Sequence, residues 1–162
     1  MRKAIAIAIG LGGLLACSSH SDPAGAGGDD ASAAADTSNV VGCDDPREQV
    51  YSPNMSQPGA SGVFSFVLVS SAPAPPADET NVFVLQILDS GGQPVTGATV
   101  TVKPTMPLMS HGTSSVTVTP NADGSYTLQP LYFFMAGLWE VAINASSGSQ
   151  KDTTSFYFCV AG

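Results

Sequence analysis

The sequence predicts an all-β domain, folded as an antiparallel sandwich of about seven strands. The 162 residues include 17 glycines and 12 prolines, which is typical of a chain rich in turns rather than in long helices. Short runs rich in Val, Phe, Ile and Thr recur along residues 62–160, and turn-forming Gly, Pro, Asn or Asp residues separate them. After the first 16 residues, no segment sustains the 3.6-residue apolar period of an amphipathic helix.

Each predicted strand has an apolar or alternating pattern of its own. In residues 139–143, alternation directs Trp139, Val141 and Ile143 to the core, and Phe156 and Phe158 follow the same pattern near the C-terminus. Seven such strands in about 120 residues indicate an immunoglobulin-like β-sandwich. The predicted strands are Gly62–Ser70, Thr80–Leu88, Ala98–Lys103, Ser115–Thr119, Tyr126–Phe134, Leu138–Ala145 and Thr153–Val160.

One segment between the predicted strands cannot continue a sheet. Residues Ser71–Asp78 read SAPAPPAD, and proline both removes backbone donors and fixes φ. We therefore expect an exposed loop of polyproline character between the first two strands.

The N-terminus has the pattern of a signal peptide of residues 1–16. A positive start, Met1-Arg2-Lys3, precedes 12 residues of only Ala, Ile, Leu and Gly, which is too short to span a bilayer. The stretch ends in Leu-Leu-Ala-Cys and resembles the lipobox of bacterial lipoproteins, which implies that Cys17 is lipidated and becomes the first mature residue. The alternative is an ordinary cleaved signal followed by a chance cysteine.

Residues 17–42 are predicted to be a lipidated flexible tether, because Ser, Gly, Ala and Asp dominate and no apolar period is present. Since Arg2 and Lys3 leave with the signal, the mature chain keeps 13 acidic and 3 basic side chains, a net charge of −10. Too few cations remain to neutralise phosphates, so we expect no nucleic-acid partner. Ser18 after the cysteine favours the outer membrane by the sorting rule of enteric lipoproteins.

The remaining two cysteines are predicted to form a disulfide. Cys43 stands where the tether ends, and Cys159 stands at the end of the last predicted strand. In an oxidising, extracytoplasmic compartment, a bond between them would tie together both ends of the folded domain, residues 43–162. The alternative is a catalytic or metal-binding thiol pair, although neither a CxxC spacing nor a neighbouring basic residue supports it.

One group of side chains could bind a metal. Met106, Met109 and His111 fall within six residues, and Met135 lies in a second predicted loop. Thioethers are soft ligands that stay unprotonated, so they favour Cu(I), and imidazole suits either oxidation state of copper. The structural alternative stays open, since methionine is a common gap-filler in cores and His111 could simply hydrogen-bond its own loop.

Four motifs in order resemble the YtkA-like/FixH-type family of extracytoplasmic β-sandwich domains. They are Gly91–Ala98 (GGQPVTGA), Met106–Thr113 (MPLMSHGT), Asp123–Tyr126 (DGSY) and Phe134–Val141 (FMAGLWEV). The resemblance implies a secreted or membrane-anchored domain, often one associated with copper handling or oxidase assembly. It places Met106, Met109, His111 and Met135 on family motif positions. In place of the transmembrane helix of FixH proteins, this chain has a predicted lipid anchor.

No pattern indicates an enzyme. His111 is the one histidine of the predicted domain, no nucleophile-elbow sequence accompanies it, and most acidic residues fall in predicted turns or linkers. The sequence leaves two functions open. One is a membrane-anchored lipoprotein that binds or handles copper through the Met/His loop. The other is a non-catalytic module of the cell envelope that contacts a protein partner, or is purely structural, without a metal.

Overall fold

The computed structural model describes residues 40–112 and 115–162, which form nine β-strands. The predicted signal peptide, Cys17 and most of the predicted tether lie outside the described residues. Within the described part of the chain, no helix could cross a membrane. The strands are β1 (Met55–Pro58), β2 (Ser65–Ala72), β3 (Thr80–Leu88), β4 (Thr99–Met106), β5 (His111–Gly112), β6 (Thr117–Pro120), β7 (Ser125–Tyr132), β8 (Gly137–Ser147) and β9 (Gln150–Val160).

The strands form two antiparallel sheets, which confirms the predicted β-sandwich. One sheet has the order β1-β2-β3-β7-β6, and the other has the order β5-β4-β8-β9. The longest pairing joins β8 to β9 in unbroken register from Gly137↔Val160 to Ser147↔Gln150. This two-stranded ribbon sets the length of the second sheet, and β4 pairs along its other side.

The core lies between the sheets and follows the predicted alternation. Trp139, Val141 and Ile143 have no exposed surface, and Phe156 and Phe158 are equally buried. Phe83 from the first sheet meets Phe158 from the second edge to face, with ring centroids 5.9 Å apart. Aromatic pairs of this geometry add to the stability that apolar burial provides.

Two strands were not predicted, β1 and β5. Each lies at the edge of its sheet, and each is short and polar, so neither has the apolar run that predicts a strand. The segment from Met106 to Gly112 is therefore a hairpin rather than a loop, because β5 pairs with the end of β4.

The proline-rich loop is shorter than predicted. Strand β2 continues to Ala72 and Ser71 is buried, so the predicted loop of residues 71–78 begins too early. Pro76 is also buried. The buried Asn81 amide accounts for the loop's path, since it accepts from Ala77 N at 3.0 Å and donates to the Ala77 and Glu79 carbonyls.

Cys43 and Cys159 form the predicted disulfide, with Cα atoms 5.3 Å apart. The residues just before it also pack on the domain. The Leu138 amide donates to the Val41 carbonyl at 2.9 Å. A Cβ at Gly42 would lie 2.9 Å from Leu108 Cδ1. The chain therefore joins the domain beside the β4–β5 hairpin.

Candidate functional site

The β4–β5 hairpin carries three of the four predicted metal ligands. Met106 ends β4, and His111 lies directly opposite it across the antiparallel pair. Directly opposed residues project to the same face of a sheet, so both side chains point toward the inner side of the second sheet. Met109 lies in the turn, where its amide donates to the Met106 carbonyl at 3.1 Å. Ser110 closes the turn with a positive φ of 53°.

Met106 is part of the core. Only 1% of its surface is exposed, and its terminal methyl lies against Gly137. A Cβ at Gly137 would overlap that methyl, and the φ of +144° at this position is one that residues with a side chain rarely adopt. The packing interpretation of the sequence therefore holds for this methionine.

Met109 and His111 are exposed, in contrast to Met106. Met109 retains 36% of its surface, and the His111 ring lies 6.1 Å from the ring of Phe134, centroid to centroid. Phe134 in turn meets the buried Trp139 edge to face at 5.2 Å. Aromatic side chains thus link the exposed imidazole to the core.

Met135 reaches the same end of the sandwich from the β7–β8 connection. Its carbonyl accepts a hydrogen bond from Trp139 Nε1 at 3.0 Å, which holds its backbone in place. Its side chain is half-buried against the core. The structure therefore brings all four predicted ligands to one end of the sandwich. Two of them are packed, and two are open to solvent.

The donor set at this end fits a soft metal ion. Within residues 40–112 and 115–162, no three His, Cys, Asp or Glu side chains are grouped closely enough to hold a metal. Thioether sulfur with one imidazole is a combination that suits Cu(I), whereas harder divalent ions prefer oxygen-rich sites.

Two depressions are lined mainly by residues of the second sheet. One, of about 320 Å³, lies beside the hairpin and includes Met106, Ser110 and His111 in its lining. The larger, of about 350 Å³, lies toward the other end of β4, between Thr99 and Asp152, and its lining is mostly Ser, Thr and Asn. The candidate site lies beside the smaller depression, whose lining includes Met106 and His111 but neither Met109 nor Met135.

Residues 60–144 match the family described as YtkA-like, which is more than half of the chain. The chain belongs to the YtkA-like family. This match confirms the resemblance seen in the sequence, and it includes all four predicted ligands. A solved structure of a copper-bound variant of FetP from uropathogenic Escherichia coli strain F11 is similar at 8% identity, with a TM-score of 0.47, over 69% of this chain and 97% of that one. No curated protein matches.

One buried carboxylate, Asp152, was not predicted from the sequence. Asp152 of β9 is 5% exposed and accepts four backbone N–H bonds, at 2.8 to 2.9 Å. Burial acts to raise the pKa of Asp152, but the four donors together outweigh it and hold that pKa below its ordinary value. The donors are the amides of Ser61, Val63, Phe64 and Thr153.

The other acidic side chains with defined partners also serve local structure. Asp45 forms an ion pair with Arg47 at 2.7 Å, and hydrogen bonds from Arg47 hold the pKa of Asp45 down at about 2. Asp89 caps a turn through the amides of Gly91 and Gln93. Glu140 is half-buried and accepts from the Ser155 and Tyr157 hydroxyls.

Proposed function

We propose that this YtkA-like domain is a non-catalytic copper-binding module, held outside the cytoplasm by a lipid on Cys17. Met109 and His111 are the primary ligands for Cu(I), and Met135 supplies a third thioether from the neighbouring connection. Met106 lies beneath them and completes the donor set only if its side chain leaves the core. In this proposal a bound copper ion is handled as cargo or as a stored ion.

The observation that supports copper binding is the convergence of separate segments. Met135 follows His111 by 24 residues, yet both lie next to the Phe134–Trp139 pair. The pairing of Met106 with His111 positions the imidazole at the hairpin edge, so that Met109 in the turn and His111 share one exposed surface.

We expect the Met109→Leu, His111→Gln double variant to bind Cu(I) at least about 100-fold more weakly than the wild type, because it loses both exposed ligands. The measurement is competition against a chromophoric Cu(I) chelator under reducing conditions mild enough to keep the disulfide. Met55→Leu is the matched control, since it removes a thioether from β1 and is expected to leave the affinity unchanged. Equal affinities for the wild type and the double variant would refute the copper site.

The proposed location is supported by the sequence of the N-terminus and by the disulfide. The Leu-Leu-Ala-Cys pattern ends an apolar stretch of signal-peptide length. A disulfide between Cys43 and Cys159 is typical of proteins in an oxidising compartment. Ser18 favours the outer membrane over the inner one.

We expect Cys17→Ala to move the protein from the membrane fraction to the soluble fraction, because the lipid would be its membrane anchor. The measurement is fractionation of cells followed by immunoblotting, with Ser18→Ala as a neighbouring control that keeps the cysteine. If the Cys17→Ala protein stayed in the membrane fraction and no unprocessed precursor accumulated, the anchor would have to be elsewhere.

The second candidate is a metal-free module that binds an envelope protein. The burial of Met106 and the partial burial of Met135 favour it, because two of the four predicted ligands already have a packing role. A partner captured in the presence of a Cu(I) chelator, and equally by the His111→Ala variant, would support this function over copper binding.

A further inference from the structure

The end of the sandwich that carries the hairpin also carries most of the exposed apolar surface. Among the described residues, six large hydrophobic side chains are exposed, and five of them lie at this end. We call these five the apolar end. They are Val41, Leu108, Met109, Tyr132 and Phe134, with 49%, 61%, 36%, 47% and 39% of their surfaces exposed.

Contacts connect these residues into one surface. Gly42, next to Val41, lies against Leu108, and Leu108 precedes Met109 in the same turn. The His111 ring at the end of that turn lies near the ring of Phe134 in a tilted arrangement, and the Phe134 ring lies 6.2 Å from the ring of Tyr132. A continuous apolar surface of this kind on a soluble domain marks a place of contact.

The position of the chain's N-terminal segment indicates which surface the apolar end meets. The described chain begins at Val40, and the carbonyl of Val41, a residue of the apolar end, accepts a hydrogen bond from the Leu138 amide. Only 22 residues lie between Cys17 and Val40, a length that extends to about 80 Å at most and averages about 25–30 Å if it is a random coil. A lipid on Cys17 would therefore keep this end of the domain close to the bilayer.

We propose that the apolar end docks on the lipid surface of the membrane that holds Cys17. The five side chains carry no charge, and the combination of aromatic and aliphatic side chains suits the boundary between headgroups and acyl chains. Tethering raises the effective concentration of the membrane to the millimolar range. A weak contact between the apolar end and the lipid is therefore enough to keep the domain on the membrane surface. Met109 and His111 would then face the membrane, so the proposed copper site would exchange its ion there.

This inference rests on the lipid anchor of the proposed function, and one experiment separates the two. Full-length protein purified with its lipid is reconstituted into phosphatidylcholine vesicles, with a nitroxide on some acyl chains close to the headgroup and a chelator present. Zwitterionic lipid is the appropriate probe, because the acidic chain would be repelled by anionic lipid. The reporter is Trp139, the one tryptophan of the chain, which lies directly under Phe134.

We expect nitroxide lipid to lower the Trp139 fluorescence of the wild type about twofold relative to unlabelled vesicles, because tethering keeps most domains docked. The Leu108→Ser, Tyr132→Ser double variant, which leaves the proposed copper ligands in place, should lose this quenching. The control Val50→Ser, at an exposed apolar residue outside the apolar end, should retain it.

Several outcomes would overturn the docking proposal, and each of them has a different meaning for the lipid anchor or for what covers the apolar end. A protein that floats with the vesicles but shows no quenching, or equal quenching in wild type and double variant, refutes docking and leaves the anchor standing. Dimers in detergent that Leu108→Ser dissociates, without quenching, would show that a second copy covers the surface instead. A protein that does not float with the vesicles refutes both the anchor and the docking.

Discussion

Replacing both Cys43 and Cys159 with serine is expected to lower the free energy of unfolding by about 4–5 kcal/mol. The bond closes a sequence separation of 116 residues, and loops of this length lose the most unfolded-state entropy on crosslinking. The bond also holds the turn at residues 40–43, whose Val41 carbonyl accepts from Leu138. The double variant should therefore lose that local structure before it loses the sandwich.

Urea denaturation followed by Trp139 fluorescence measures this effect directly. The wild type in excess reductant should unfold at the same urea concentration as the double variant without reductant, because both lack the crosslink. Hydrogen exchange adds a local test, since the Leu138 amide should lose protection in the variant more than the amides in the centre of β8. A loss of less than about 1 kcal/mol would mean that the unfolded chain is already constrained without the bond.

The sequence predicted the strands that are buried on one face. Residues 139–143 alternate a large apolar side chain with a small or polar one, and the structure buries the odd positions completely. Such a pattern is visible because burial requires it at every second residue. Strands β1 and β5 could not be predicted in this way. They lie at sheet edges, where four or fewer residues are hydrogen-bonded and little apolar surface is covered.

The sequence predicted which residues form the candidate site, but it did not predict how deeply each of them is buried. The sequence grouped Met106, Met109 and His111 by their short spacing and took Met135 from a second predicted loop, and the resemblance to the YtkA-like family placed all four on family motif positions. The alternation of β4 continues through Val100 and Val102 to Met106, so the period of the strand already puts Met106 on the core face. Extending that parity four residues beyond Val102, to Met106, would have separated the packed methionine from the exposed one.

Asp152 was missed for the same reason. It has the same parity in β9 as Phe156 and Phe158, which face the core. An acidic residue at an inward position indicates a buried carboxylate with partners of its own. Its partners could not be identified from the sequence, because three of the four donors lie about 90 residues away in the 59–64 turn.

Asp152→Ala is expected to destabilise the domain by about 3–5 kcal/mol at neutral pH. The substitution removes a charged acceptor from four backbone N–H groups, and buried donors left without a partner cost about 1–3 kcal/mol each. Gly59 shows how closely the turn surrounds the carboxylate, since a Cβ there would overlap it. The turn is therefore built around this side chain.

The pH dependence of that loss distinguishes a charge effect from packing. Because the folded-state pKa of Asp152 is lowered, its contribution to stability is complete above the unfolded pKa of about 3.9 and is lost as pH falls through the folded value. The difference between wild type and Asp152→Asn should be largest at pH 7 and should shrink below about pH 4. The measurement is urea denaturation at a series of pH values.

Asp78→Ala is the matched control, since Asp78 is exposed and the structure shows no comparable set of donors to it. It should leave stability within about 0.5 kcal/mol of the wild type. Asp45 and Asp123 also have lowered pKa values, but each is held by a residue two positions further along the chain, Arg47 and Ser125 respectively. An acid-induced loss that persists undiminished in Asp152→Asn would therefore assign the effect to groups other than the buried carboxylate, and would remove Asp152 from the forces that hold the 59–64 turn to β9.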